Sequence, residues 1–222
     1  MMASEKVSGR SARSALLALG GRIVAYALLM GALAAWMLWG AVTYDATFFD
    51  EVGPVEILET VFALSSAIIF LFAAQVDSAR VDCSVLLAGA LFCVAVRESD
   101  YFLDVLIARH AWKVIVALIA AGMAVYTAGR VKEVYRSVLA FVNRPGFGVF
   151  ISGVLVLVVF SRLFGYGAFW KAIMDDSSYR VVKTIVEEGV EQMGYFLIFI
   201  SSIEYLHDAR MSRKGLSLFP DI

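Results

Sequence analysis

The 222-residue chain has two cysteines, two histidines and three prolines, and only 18% of its residues are charged. Each scarcity removes a class of protein. Cys83 and Cys93 share one apolar run and lie about 15 Å apart along a helix that rises about 1.5 Å per residue. A disulfide needs Cα atoms within roughly 7 Å, so the two read as small core residues. No Cys-x-x-Cys or Cys/His zinc spacing occurs, and the Glu-x-x-His of di-iron carboxylate bundles is also missing. With 19 basic and 20 acidic residues, the chain has no charge excess that would select nucleic acid as a partner. There is no low-complexity segment, long linker or separate soluble domain.

Apolar sequence is abundant. Hydrophobic residues make up 61% of the chain and mean hydropathy is +0.80. A soluble domain is nearer half apolar and a quarter charged. Runs of about 20 apolar residues fit spanning helices, not the 9–11-residue strands of a membrane barrel. The expected fold is therefore all-α: a polytopic transmembrane bundle forming one integral membrane domain over 1–222. About six spans are expected, near 22–44, 55–74, 81–108, 111–128, 147–168 and 181–206. The polar, basic segment Met1 to Arg13 reads as the flank of an uncleaved first span, because the following run exceeds a signal-peptide core and no clear cleavage site follows.

Charge between the runs sets the expected topology. With the N-terminus cytoplasmic, inside segments hold 12 Lys and Arg and outside segments hold 7. The N-terminal segment, the 130–144 connector and the C-terminal tail all agree. The positive-inside rule then puts both termini in the cytoplasm of a multi-pass inner (plasma) membrane protein.

That topology brings several ionisable stretches to one depth, near the outer boundary. Glu56-Ile57-Leu58-Glu59 and Glu188-Gly189-Val190-Glu191 are each a Glu-x-x-Glu early in an apolar run. Glu56 and Glu59 share a helix face, and Glu187, Glu188, Glu191 and Tyr195 fall within a wedge of about 100°, with Lys183 one turn earlier. Arg97, Asp100 and Asp104 form a stripe with Glu98 at its edge, and Arg109, His110 and Lys113 begin the next span. An ionised group at a helix centre costs about 2.5–3.5 kcal/mol on insertion scales, so such groups normally pair, face a cavity or serve function.

Two facing Glu-x-x-Glu helices, joined by Glu98, offer an oxygen-rich ligand set of Glu56, Glu59, Glu98, Glu188 and Glu191. Mg²⁺, Mn²⁺, Ca²⁺ or iron suits such ligands. The stretch Glu187-Glu188-Gly189-Val190-Glu191 resembles the Arg-Glu-Gly-Leu-Glu element of the oxidase-dependent iron permeases over five residues, with Glu187 in place of the leading Arg. The resemblance implies a role for these glutamates in cation handling, and no family resemblance extends over the whole chain. In a hydrolytic version the metal activates water, while Arg97, Arg109, Lys113 or Arg162 grips the phosphate of a lipid-linked substrate. His110 is then the candidate catalytic base, because an imidazole exchanges protons near neutral pH. In a transport version the acids carry the cation, and so small a protomer requires an oligomer. The competing expectation is a non-enzymatic scaffold or partner subunit of other membrane proteins, in which Arg97, Asp100, Asp104, Arg109, Lys113, Arg162 and Glu187 lock the bundle as ion pairs. In every version the bilayer is the principal partner.

Overall fold

The computed structural model describes residues 2–50, 52–175 and 178–214, with side chains from residue 16 onward except at 45 and 46. Lys6, Arg10, Arg13, Glu51 and the end of the polar tail from 215 lie outside the described side chains. The described residues are largely helical, without a strand, as their apolar runs predict. Five stretches are long and apolar enough to cross a membrane: Leu16–Tyr44, Thr47–Val76, Ser78–Glu98, Ala111–Ala128 and Pro145–Phe164.

The chain forms two compact units, Met1–Thr43 and Tyr44–Ile222. The first is one continuous helix, α1 (Met2–Tyr44), whose apolar side chains Leu16, Leu28 and Leu38 are each more than 60% exposed. Such a surface is stable in lipid and costly in water.

The second unit begins with a short 3₁₀ turn, Asp45–Phe49, followed by α2 (Pro54–Val76). Pro54 sits at the first helical position, where its missing N–H costs nothing. A tight turn at Ser78–Arg80 reverses the chain into α3 (Val81–Glu98). After Ser99 come α4 (Asp100–Leu106), α5 (Ala111–Ala128) and α6 (Val131–Val142). The chain continues as α7 (Pro145–Leu155), a wider π-type turn over Val156–Phe160, α8 (Ser161–Phe164) and α9 (Gly167–Lys171). The last helix, α10 (Tyr179–Arg213), has 35 residues.

Small residues decide which helices touch. Ala63, Ala67 and Ala73 of α2 and Ala88 and Ala95 of α3 are buried where the two helices pack along their length. Lipid gives apolar helices little reason to associate, so close backbone approach has to supply the attraction. The crossing of α7 with α10 is tighter still. A Cβ on Gly153 would stand 2.8 Å from the Gly194 carbonyl oxygen, and one on Gly194 would stand 2.6 Å from Leu157 Cγ. α10 thus lies between α2 and α7, while α3 carries α5 on its other side. Phe70, Phe141 and Tyr205 fill the space where α2, α6 and α10 meet, with ring centroids 5.0–6.4 Å apart.

The third and sixth spans depart most from their sequence-based bounds. The third, expected over 81–108, stops at Glu98: Ser99 leaves the helix (φ −98°, ψ 17°) and α4 starts anew with none of its side chains buried. Arg97-Glu98-Ser99-Asp100 is too polar to continue an apolar span, and a serine there competes for backbone hydrogen bonds. The sixth, expected over 181–206, lies within α10 but is not among the five apolar stretches. Glu187, Glu188, Glu191, Gln192 and Glu204 interrupt it, and its neighbours α2 and α7 cover much of that polarity. Cys83 and Cys93 are free thiols.

Candidate cation site

The site is made where α2 begins, α3 ends and the third and fourth turns of α10 run beside α2. Glu59 is on the second turn of α2, on the face turned to α10, and is 1% exposed. Ligand oxygens of Glu59, Glu188 and Glu191 all lie within 4.8 Å of one another. Three negative charges at that spacing would repel by roughly 3–4 kcal/mol per pair at an effective dielectric of about 20, so the trio needs a counter-charge or a retained proton. Glu59 and Glu188 have no basic partner among the described residues. Glu59 Oε1 is buried with no hydrogen-bond partner at all. An orphaned carboxylate oxygen aimed at two further carboxylates is costly unless a cation or a shared proton sits between them.

The neighbouring acids are anchored. Tyr195, one helical turn beyond Glu191, donates its hydroxyl to Glu98 Oε1 at 2.5 Å, and Arg97 Nη1 donates to the same oxygen at 2.5 Å. Arg162 Nη2 pairs with Glu191 Oε1. Ser161 Oγ lies 2.8 Å from that oxygen and 2.8 Å from the Leu157 carbonyl oxygen. The π-type turn ends at Phe160 and rotates the following residues relative to a regular helix, which is how Ser161 and Arg162 come to face α10. Such turns recur at functional sites. Lys183 donates to Glu187 at 2.6 Å, and that carboxylate packs so closely against Gly165 that a Cβ there would overlap it.

These residues enclose a polar cleft of about 320 Å³. Seven acidic side chains line it, Asp50, Glu56, Glu98, Asp100, Glu187, Glu188 and Glu191, against three basic ones, Arg97, Arg162 and Lys183. The excess is negative, so the cleft attracts cations. A second, mostly apolar groove of about 390 Å³ shares Arg97, Glu98, Arg162 and Glu191 with it and runs on between α3, α7 and α10.

Most of the site residues expected from sequence meet in this place: Glu56, Arg97, Glu98, Asp100, Arg162, Glu187, Glu188 and Glu191 line it, Tyr195 bonds to its lining, and Glu59 lies within 4.8 Å of Glu188 and Glu191. Asp104, Arg109, His110 and Lys113 do not line it. Asp104 accepts the His110 backbone N–H at 2.7 Å in the α4–α5 turn. His110 has a left-handed backbone (φ 65°) just ahead of α5, and the Lys113 ammonium lies 5.5 Å from the Trp112 ring centroid. The break at Ser99 is the reason: it ends the stripe that would have carried Asp104 on from Arg97 and Asp100. Ser161 and Gly165 are contributors that sequence reasoning missed, and Gln192 follows Glu191 on α10. Gln192 is fully buried with both amide atoms unpartnered, and its one sequence signal is a second polar residue beside Glu191 in an apolar run.

No protein-family model, curated protein or solved structure matches this chain.

Proposed function

We propose that this is a multi-pass protein of the inner (plasma) membrane that binds a divalent cation between Glu59, Glu188 and Glu191, with Glu98 and Glu56 completing an all-oxygen ligand set. α10 is the sixth span in this reading. Both termini are cytoplasmic and the cleft faces outward. The observation that supports it best is the buried, unpartnered Oε1 of Glu59 beside two further carboxylates. Oxygen-only ligands favour Mg²⁺, Mn²⁺, Ca²⁺ or iron over softer ions. The cation's role is either to activate water against a lipid-linked substrate or to be the transported species. The apolar groove joined to the cleft favours the first. A divalent ion held there would supply an acidified water, and the carboxylates lining the cleft, rather than His110, are the groups placed to take its proton.

A scaffold reading draws on a separate observation, the three ion pairs Arg97–Glu98, Arg162–Glu191 and Lys183–Glu187. Elemental analysis of protein purified in mild detergent separates the two. The cation reading expects stoichiometric metal in the native chain, and alanine at Glu59 or Glu188 that removes the metal and leaves the fold intact. Native protein without metal, and without thermal stabilisation by any of the four ions, would falsify it. Collapse of the alanine variants to unfolded protein supports the scaffold.

A further inference from the structure

The polar cleft and the apolar groove meet at one pair of arginines. Arg97 and Arg162 line both cavities, and their side chains are 50% and 55% exposed. Each holds its glutamate through a single nitrogen, Nη1 of Arg97 and Nη2 of Arg162. A guanidinium carries five N–H donors in a planar fork, so each retains donors that match a phosphate. Beyond the arginines the groove is walled by Leu87, Ala90, Leu91, Val94, Val154 and Val158. Val158 is 64% exposed, so this wall is open to the surroundings of the helices, which in a membrane are acyl chains.

From this juxtaposition we infer that the groove binds a phosphorylated lipid: its chain lies between α3 and α7, and its phosphate sits at Arg97 and Arg162 beside the carboxylates. Charge and polarity change along the groove in the order such a molecule requires. The apolar length takes the chain, the two cations take the phosphate, and the anionic cleft beyond takes a divalent ion that the phosphate can share. A free phosphate would leave the apolar length unfilled, and a neutral lipid would leave the arginine donors unused. The inference rests on the proposed cation site for its functional meaning but not for the binding itself.

The test is thermal unfolding of the full chain in mild detergent, titrated with dioctanoyl phosphatidic acid, dioctanoylglycerol or inorganic phosphate. Phosphatidic acid at saturation should raise the midpoint by about 5–10 °C, and the other two should leave it within about 1 °C. Ala90 is exposed on the groove wall, so Ala90→Trp fills the groove without entering the core and should abolish the shift. The double variant Arg97→Gln, Arg162→Gln should also lose it. If that variant fails to fold, Ala90→Trp alone decides. Equal stabilisation by dioctanoylglycerol, equal stabilisation by inorganic phosphate, or a full shift in Ala90→Trp each overturns the inference. Glu59→Gln keeps it distinct from the cation reading: this variant should lose metal by elemental analysis yet retain the phosphatidic acid shift. Absence of metal from the native protein would therefore count against the cation alone, and absence of the lipid shift against the groove alone.

Discussion

The two charged ends of the α2–α3–α10 layer are built from similar residues and reach opposite balances. At the end where α2 turns into α3, Arg80 donates to Asp77 and to Asp208, each at 2.8 Å, and Arg144 pairs with Asp208 at 3.2 Å. Arg130 pairs with Asp82 at 2.9 Å, and Tyr126 donates to the same carboxylate. Each of these three aspartates answers an arginine. At the other end seven acids line the cleft against three bases, and Glu59 is buried behind them with an orphaned oxygen. A network in which every carboxylate has its arginine fixes helix register and leaves no charge to be matched. An unbalanced one is expensive in itself and makes sense when a ligand supplies what is missing. On the proposed reading, the matched end holds the helices in register and the mismatched end is the one that takes a ligand.

Removing a partner from the matched end should do the most damage. Asp208→Ala removes the counter-ion that Arg80 and Arg144 share, with Asp77 still beside Arg80, and the loss should be about 3 kcal/mol of stability by chemical denaturation. A loss below about 1 kcal/mol would show that this end is not the structural one. Between the ends, Gly153→Leu forces a side chain into the Gly194 backbone, so about 1–3 kcal/mol should be lost. Because that crossing positions both Arg144 and Arg162, hydrogen exchange should rise at both ends, and a rise at one end only would separate them. Glu59→Gln should sharpen the contrast by its sign. Replacing one carboxylate of a repelling trio should leave metal-free protein unchanged or more stable by about 1 kcal/mol, while divalent-ion stabilisation disappears. A destabilised metal-free variant that still binds metal would break the comparison. Lys183→Ala should do least, about 0.3–0.5 kcal/mol, because it removes one partly exposed pair within a single helix.

Much of the site was legible in the residues. The apolar runs gave the helices, and two Glu-x-x-Glu faces at matched depth pointed to a shared place before any contact was known. What escaped reading depended on events between segments. His110 lies only six residues past Asp104, but Asp104 is spent on the turn that reverses the chain, so neither side chain lines the cleft. Ser161 looks like an ordinary span serine, and its role depends on the π-type turn just before it. Gly165 matters only because Glu187, far along the chain, needs its missing Cβ.

The sequence by itself determined that the chain is helical and suited to a membrane, because hydropathy and helical period respond to local composition. It also determined which faces of α2 and α10 carry carboxylates, since spacing along one helix is enough for that. The tertiary structure decided which faces meet. The small-residue contacts of α2 with α3 and the glycine crossing of α7 with α10 set how each helix is rotated and how deeply it sits. Those contacts gathered Glu59, Glu188 and Glu191 within 4.8 Å, brought Arg97 and Arg162 to one boundary, and left His110 outside. Rotation about a helix axis is fixed by packing against distant segments, and no local pattern in the chain records it.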